Sequence, residues 1–588
     1  MRHHIILKTA IAGLLVAGMN SCADDLNISS IDPQSSQNYD DMELLAKQYA
    51  TLGLTGQMGP TGKSDISGDE GEIGFYRTVF NLQELCTDEC IWAWQTDTDI
   101  PQITNIRWTA SSTRAGWAWK RLAYDITNYN SYLEQMKDRT DGEYPHYLAE
   151  VRFLRALHYW YFLDLFHKAP FKDALAEGFN MSELPVEKAG KDLYDWLDNE
   201  LTTIEPLLAE VGAYNNSSSY GRADRGAAMM LHARLALNSA IYTDGQVKDY
   251  QKAITYCDQI IGSGKYALST ATNENGYTGY EQVFMGDNDK NTQAMKECIF
   301  PIRQDGKNTE EHAGSTYLVS SMRAAGMPFS ATDNYWTCNF AREALVKKFI
   351  ADPDKDCPIA TKEEIKEYVE NGHESLYKNE KGESKSPSQE EVVEADNILG
   401  GSTAQIIAAA GDDRAMFYGG IGGATTENAR TFRAGKNITG FLNGLSIVKW
   451  QNRYSTNESP SDKKFSDTDI PLFRLAEAYL TRAEAKYRLG QSAEALTDLN
   501  VLRSRAHTTA FTSIDEDILI DEWCREFYME GRRRSDLVRF GRFTSKKYIW
   551  DWKGGVPNGQ AVDDHFNVYP VPANEISTNK NLSQNSKY

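Results

Sequence analysis

From Leu472 to Tyr487 the apolar residues fall at 472, 475, 476, 479, 480, 483 and 487, one face of a 3.6-residue period, and an amphipathic helix is predicted there. Gly490 stops that helix, and Ala493, Ala495, Leu496 and Leu499 start the next. Small residues at Ala476, Ala478, Ala483 and Ala485, followed by Leu489-Gly490, look like a tetratricopeptide helix–turn–helix unit. A second pair is predicted from Ala227 to Ile241 and from Tyr250 to Ile261, closed by Gly262. A third runs over 117–137 and 144–167, with Pro170 ending it. Such pairs bury a common core only by stacking, so they make a scaffold.

The middle of the chain reads differently. From about 266 to 465 it is rich in Gly, Asn, Asp and Ser, with short apolar runs. The charged stretch from Lys362 to Glu394 reads as a surface excursion, partly helical. The expected organisation is a leader over 1–21, a helical-repeat region over 22–265, a loop-rich binding region over 266–465, and a helical region over 466–588 that packs back on the scaffold. A rigid platform that positions long loops is a common arrangement for binding.

The leader decides the compartment. Arg2 and Lys8 precede a short apolar run from Thr9 to Gly18, and Met19-Asn20-Ser21 lead to Cys22. This is a signal peptide whose apolar part is too brief to anchor in a bilayer. Ending at a cysteine makes it a lipoprotein signal, with Cys22 acylated after cleavage and the acidic pair Asp24-Asp25 following at once. No later stretch is apolar enough to span, so the lipid is expected to be the anchor.

Charge removes other partners. The net charge is −21, and losing Arg2 and Lys8 with the leader makes it −21 − 2 = −23. Such a chain is unsuited to nucleic acid and to electrostatic docking on anionic lipid. Cysteines 86, 90, 257, 298, 338, 357 and 524 are odd in number and scattered, which is no disulfide framework. Cys86 and Cys90 could share a helical face, but nothing nearby completes a zinc site, and small buried residues are expected. Gly262-Ser-Gly-Lys265 lacks the flanking residues of a phosphate loop, and Gly420-Ile-Gly422 has Thr425 where a dinucleotide fingerprint needs its third glycine. The run Arg532–Arg534 is surrounded by Glu526, Glu530 and Asp536, so it reads as an internal ion-pair network; His158, among aromatics, reads as a core residue.

Two loops carry tryptophans in polar company. Trp92 and Trp94 are followed by Gln95, Asp97 and Asp99, and Tyr335-Trp336 follow Asp333-Asn334. Exposed rings of this kind stack on the apolar faces of sugars. Asp287-Asn-Asp289 and Asp467-Thr-Asp469 each set carboxylates two residues apart, the oxygen chemistry that hard cations such as calcium require. The first is no EF-hand, because Thr292 and Cys298 stand where Gly and Glu belong.

Several longer stretches resemble SusD/RagB-family lipoproteins, across essentially the whole chain. They are Ala149-Glu-Val-Arg-Phe-Leu-Arg-Ala-Leu-His-Tyr-Trp-Tyr-Phe162, Asp469 to Leu480, Arg525-Glu-Phe-Tyr-Met-Glu-Gly-Arg532 with Asp536-Leu537, and Tyr569-Pro-Val-Pro-Ala-Asn-Glu-Ile576 with Asn581-Leu582. Thr87 to Gln95 and Gly444 to Gln451 are similar to the starch-binding members in particular. The resemblance implies a mainly α, tetratricopeptide-like fold, the outer membrane facing outward, and a SusC-like TonB-dependent transporter as partner. It implies starch or malto-oligosaccharide as ligand, bound without catalysis. Trp94 and Trp336 would then form an aromatic arc, with Arg77 and Asp97 bonding hydroxyls. Asp97 stands where the family leads us to expect an amide, and His312 where a tyrosine is expected, which points to altered binding strength. The resemblance also joins Asp289, Asp467 and Asp469 into one structural calcium site remote from the sugar. A glycoside hydrolase, which needs two opposed carboxylates, and a helical adaptor or peptide-capturing relative are the competing readings.

Overall fold

The computed structural model describes residues 40–56, 65–66, 71–215, 218–324, 326–328, 331–422, 438–440 and 444–588. The chain divides into two units, Met1–Lys47 and Gln48–Tyr588. Within the first, only the opening turns of the helix Asp41–Gly53 are described, so the leader and Cys22 lie outside the described residues.

Long helices dominate the second unit. They are α1 (Phe75–Glu84), α2 (Thr113–Met136), α3 (Tyr144–Phe166), α4 (Gly190–Ile204), α5 (Arg225–Leu237), α6 (Tyr250–Gly262), α7 (Leu475–Arg488), α8 (Ser492–Arg505) and α9 (Glu516–Phe527). Local chemistry starts several of them. The Ser112 hydroxyl accepts the Ala115 N–H at the head of α2, and the Asp224 carboxylate accepts those of Gly226 and Ala227 at the head of α5. From α2 to α8 each helix packs on the one before it. Ala476, Ala478, Ala483 and Ala485 of α7 are all fully buried, and their small side chains let neighbouring helices approach closely. Apart from Arg225, every residue of α5 is buried, as expected of a helix covered on all sides.

The strands are short: β1 (Cys90–Trp92), β2 (Lys168–Phe171), β3 (Val186–Ala189), β4 (Cys298–Ile302), β5 (Asn339–Ala341), β6 (Phe417–Tyr418), β7 (Ser446–Ile447) and β8 (Ile470–Arg474). They form two-stranded antiparallel ribbons, β1 with β5, β2 with β3, β4 with β8, and β6 with β7. β8 runs directly into α7, and its partner β4 lies early in the long segment between α6 and α7. The stack therefore resumes at α7 after a loop-rich insertion.

Three details differ from the periodic reading. Leu472 belongs to β8, whose five residues are all buried, so the apolar run before α7 is an extended core strand. The helix expected over 227–241 ends at Leu237, where the Asn238 amide turns back to the Arg234 carbonyl, and Ser239–Tyr242 is a separate turn. Within the 362–394 excursion, Lys362–Glu370 and the start of Gln389–Leu399 are helical, and they share a small core of Ile365, Val369, Leu376, Val392 and Ala395.

Charge is buried in the C-terminal half. Arg414 pairs with Glu522 at 2.7 Å, and Arg474 pairs with Glu526 at 2.6 Å and Glu297 at 3.2 Å, all five residues being fully buried. Burial pushes the Glu522 carboxyl upward, but Arg414, Arg525 and Arg503 outweigh it and hold it at about 2. Arg532 joins this interior by pairing with Glu477 at 2.9 Å, and Arg533 by pairing with Asp88 at 2.7 Å. Arg534 is buried too, yet its bonds go to the backbone carbonyls of Asp164 and Asn567. His158 is fully buried, with Nδ1 at 2.8 Å from the Leu154 carbonyl and Nε2 at 3.3 Å from Asp125. The described cysteines are all free thiols, buried except for Cys357.

Candidate functional site

The β1–β5 ribbon assembles the site. Its register sets Trp92 opposite Asn339, and just beyond that pair the Ala93 N–H donates to the Cys338 carbonyl at 2.6 Å. The chain leaving β1 therefore carries Trp94 and Asp97 at the same end from which the chain entering β5 carries Trp336. The Trp336 N–H is held by the Ser320 carbonyl at 2.9 Å. Arg77 comes from the first turn of α1, and His312 from the loop before the helix Ser315–Met322. Together Glu72, Arg77, Trp92, Trp94, Thr96, Asp97, Thr98, His312 and Trp336 line a cleft of about 500 Å³. Arg77, Trp94, Asp97, His312 and Trp336, the residues that the resemblance pointed to, thus lie in one place.

Glycines make that convergence possible. Gly71 has φ +81°, and a Cβ there would stand 2.7 Å from the His312 carbonyl carbon; one at Gly74 would stand 2.1 Å from the Ala313 Cβ. The 71–74 turn lies directly against 312–313, which places Glu72 and His312 side by side at the cleft.

The rings have different roles. Trp94, His312 and Trp336 are half-buried and can present faces. Trp92, expected to be a bare indole, is 3% exposed: it stacks on Tyr317 at 5.8 Å and meets Trp94 edge-on at 5.9 Å. It is a support, and its indole N–H donates to Asp97 Oδ2 at 3.0 Å. Tyr335 is exposed but does not line the cleft. His312 packs between Trp336, 5.7 Å away, and Phe465, 5.2 Å away. The Arg77 guanidinium sits 4.4 Å over the Tyr317 ring and 5.7 Å from that of Trp336, and Nη1 donates to the His312 carbonyl at 3.1 Å. Burial draws its pKa down, with Tyr317 and Glu72 working against that.

Glu72, Tyr317, Thr96 and Thr98 were not found from sequence. Thr96 and Thr98 flank Asp97 in its own turn and could have been taken with it. Glu72 and Tyr317 carry no local signal. A larger cleft of about 630 Å³ lies between the end of α3 and the C-terminal segment. Its polar groups serve one another: Asp164 accepts from Tyr242, Gln83 and Ser535. At the smaller cleft Glu72 is committed to guanidiniums of Arg77 and Arg114, and Asp97 to the Trp92 indole. That is not the opposed acid and base of a glycosidase.

Two of the three expected calcium ligands pair with an arginine. Arg303 reaches Asp289 at 3.0 Å and Asp469 at 2.9 Å, while Asp467 accepts from Tyr454, Ser461 and the Gly306 N–H. Among the described residues no group of three or more His, Cys, Asp or Glu stands ready to hold a metal ion. Burial, with Asp289 adding to it, lifts the Asp469 carboxyl to about 7 against the pull of Arg303.

A stack of helices topped by a ring-lined cleft defines the class, and the comparisons agree: residues 280–588 match the SusD family, and the chain belongs to that family. The particular relative is the starch-binding protein SusD of Bacteroides thetaiotaomicron, 49% identical over 585 residues, covering 99% of this chain and 98% of that protein. Among solved structures, a SusD-like carbohydrate-binding protein from Bacteroides fragilis superposes with a TM-score of 0.63 at 18% identity, covering 92% of this chain and 98% of that one. The surface glycan-binding protein A from Bacteroides thetaiotaomicron, solved with laminarihexaose, superposes with a TM-score of 0.60 at 17% identity, covering 92% and 98%. At those identities the structures speak for the fold, a mainly α helical-repeat scaffold.

Proposed function

We propose that this protein binds starch and malto-oligosaccharides without catalysis and delivers them to a SusC-like TonB-dependent transporter. The observation that carries the reading is the convergence of Trp94, His312 and Trp336 around Arg77 and Asp97 in one cleft, in a chain so similar to a starch-binding protein. Half-buried rings take the apolar faces of glucose units, and the charged side chains take hydroxyls. Rigid rings select a curved chain by shape at little cost in ligand freedom.

The surface location rests on the leader. Lipid on Cys22 would hold the protein to the outer membrane, facing outward, and among the described residues no helix is long and apolar enough to cross a membrane. Mass spectrometry of the N-terminal peptide tests the lipid. A structural calcium ion on Asp289, Asp467 and Asp469 is a separate proposal, supported by the all-oxygen donor set of these side chains and by the nearness of Asp289 and Asp469, which share one guanidinium. Calcium added to chelator-treated protein should raise the melting temperature, and no change would leave the aspartates to Arg303 alone.

Native electrophoresis through gels containing amylopectin, dextran or no polysaccharide tests the main reading. Retardation in amylopectin alone is expected; migration unchanged in every gel would sink the starch assignment.

A further inference from the structure

Glu72 and Asp97 are the acidic groups at the cleft, and each is fixed by what it bonds. Asp97 Oδ2 takes the Trp92 indole N–H at 3.0 Å, and the Asp97 N–H donates to the Trp94 carbonyl at 3.1 Å. A carboxylate only accepts hydrogen bonds, so Asp97 offers acceptor oxygen to whatever enters. Glu72 lies 3.8 Å from Arg77 and 3.5 Å from Arg114. Arg77 is further committed to the His312 carbonyl and to the Tyr317 ring. Two guanidiniums and two carboxylates leave the cleft without net charge when His312 is neutral.

This balance treats sugars differently. A hydroxyl can donate to Asp97. A sugar carboxylate or sulfate cannot, and it meets a like charge in a half-dehydrated cleft, where repulsion exceeds its value in water. Nor is the Arg77 guanidinium simply there to be claimed, because it is shared among Glu72, the His312 carbonyl and the Tyr317 ring. We propose that Glu72 and Asp97 make this cleft selective for uncharged sugar chains over chains carrying carboxylate or sulfate groups. Asp97 acts by direct repulsion and Glu72 by offsetting part of the charge of Arg77 and Arg114. The inference rests on the cleft being the glycan site.

The test is calorimetric titration of the intact protein with maltoheptaose and with maltoheptaose oxidised at C6 to carry glucuronate, at low ionic strength. Affinities are read as the ratio between the two ligands, so a loss common to both cancels; the repulsion of the acidic surface as a whole, which only the charged chain feels, cancels when a variant's ratio is compared with that of the unaltered protein. The unaltered protein should favour the neutral chain by about tenfold or more, the scale of one like-charge contact. Asp97→Asn and Glu72→Gln should each shrink that ratio roughly fivefold or more, the second by freeing two guanidiniums. Melting curves establish that each variant is folded, and Asp97→Asn, which keeps the side chain's shape, carries the test if Glu72→Gln fails to fold. Equal affinity of the unaltered protein for both chains, or an unchanged ratio in Asp97→Asn, overturns the proposal. Failure to bind maltoheptaose at all would instead overturn the glycan reading beneath it.

Discussion

Replacing Trp336 by alanine removes a ring that the cleft presents half-buried, held from behind by its backbone bond to Ser320 and by the Arg77 guanidinium 5.7 Å from its centroid. A hexose lying on one indole face withdraws roughly 50 Å² of apolar surface on each partner, which at about 25 cal/mol per Å² amounts to about 2.5 kcal/mol. Ordering the sugar offsets part of this, leaving about 1–2 kcal/mol, or about a tenfold weakening of maltoheptaose binding. Calorimetry on the folded variant measures it directly, and Trp336→Phe, which keeps a ring face, should recover much of the loss. Because Trp336 is only tilted against Tyr317 at 6.3 Å, while Tyr317 is also stacked on the buried Trp92, the melting temperature should move less than the affinity. A folded Trp336→Ala protein that binds within about twofold of the parent would refute the reasoning, since less than 1 kcal/mol would then reside in the ring.

Three other changes probe the frame around the site. Gly71→Ala forces a Cβ against the His312 backbone at φ +81°, so strain and overpacking should cost about 2–4 kcal/mol and lower both the melting temperature and glucan affinity. Arg533→Ala strands Asp88 in the interior, where their 2.7 Å pair is buried; chemical denaturation should show a loss of about 3–5 kcal/mol. Burial lifts the Asp224 carboxyl to about 6, against bonds from Ala227, Gly212 and Gly226 that pull it down. The folded state thus holds that proton more tightly than the unfolded one, and its contribution is lost as pH rises from about 4 through 6. Relative to the parent, Asp224→Asn should gain up to about 3 kcal/mol over that window in pH-dependent unfolding, and parallel profiles would contradict the assignment.

Read alone, the sequence determined the helical frame, because a 3.6-residue period states which face of a helix is apolar without reference to anything distant. It also read Arg532–Arg534 as an internal ion-pair network, which holds for Arg532 and Arg533 but not for Arg534, bonded to backbone carbonyls, and it marked the tryptophan loops as polar enough to hold a ligand. Resemblance, not periodicity, named Arg77, Asp97, His312 and Trp336 together. Tertiary structure decided what local pattern cannot contain. The β1–β5 register brings Trp94 and Trp336 to one end of a ribbon, and the turn at Gly71 and Gly74 brings Glu72 to His312. It buried Trp92, stacked on Tyr317, and left Trp94, which in sequence stands in the same loop, half-buried. It set Arg303 between Asp289 and Asp469, a pairing that neither acidic stretch announces by itself. The physical reason is the same in each case: a side chain's exposure and charge partner depend on residues remote in the chain, and those are chosen by which surfaces pack, not by the spacing of any one segment.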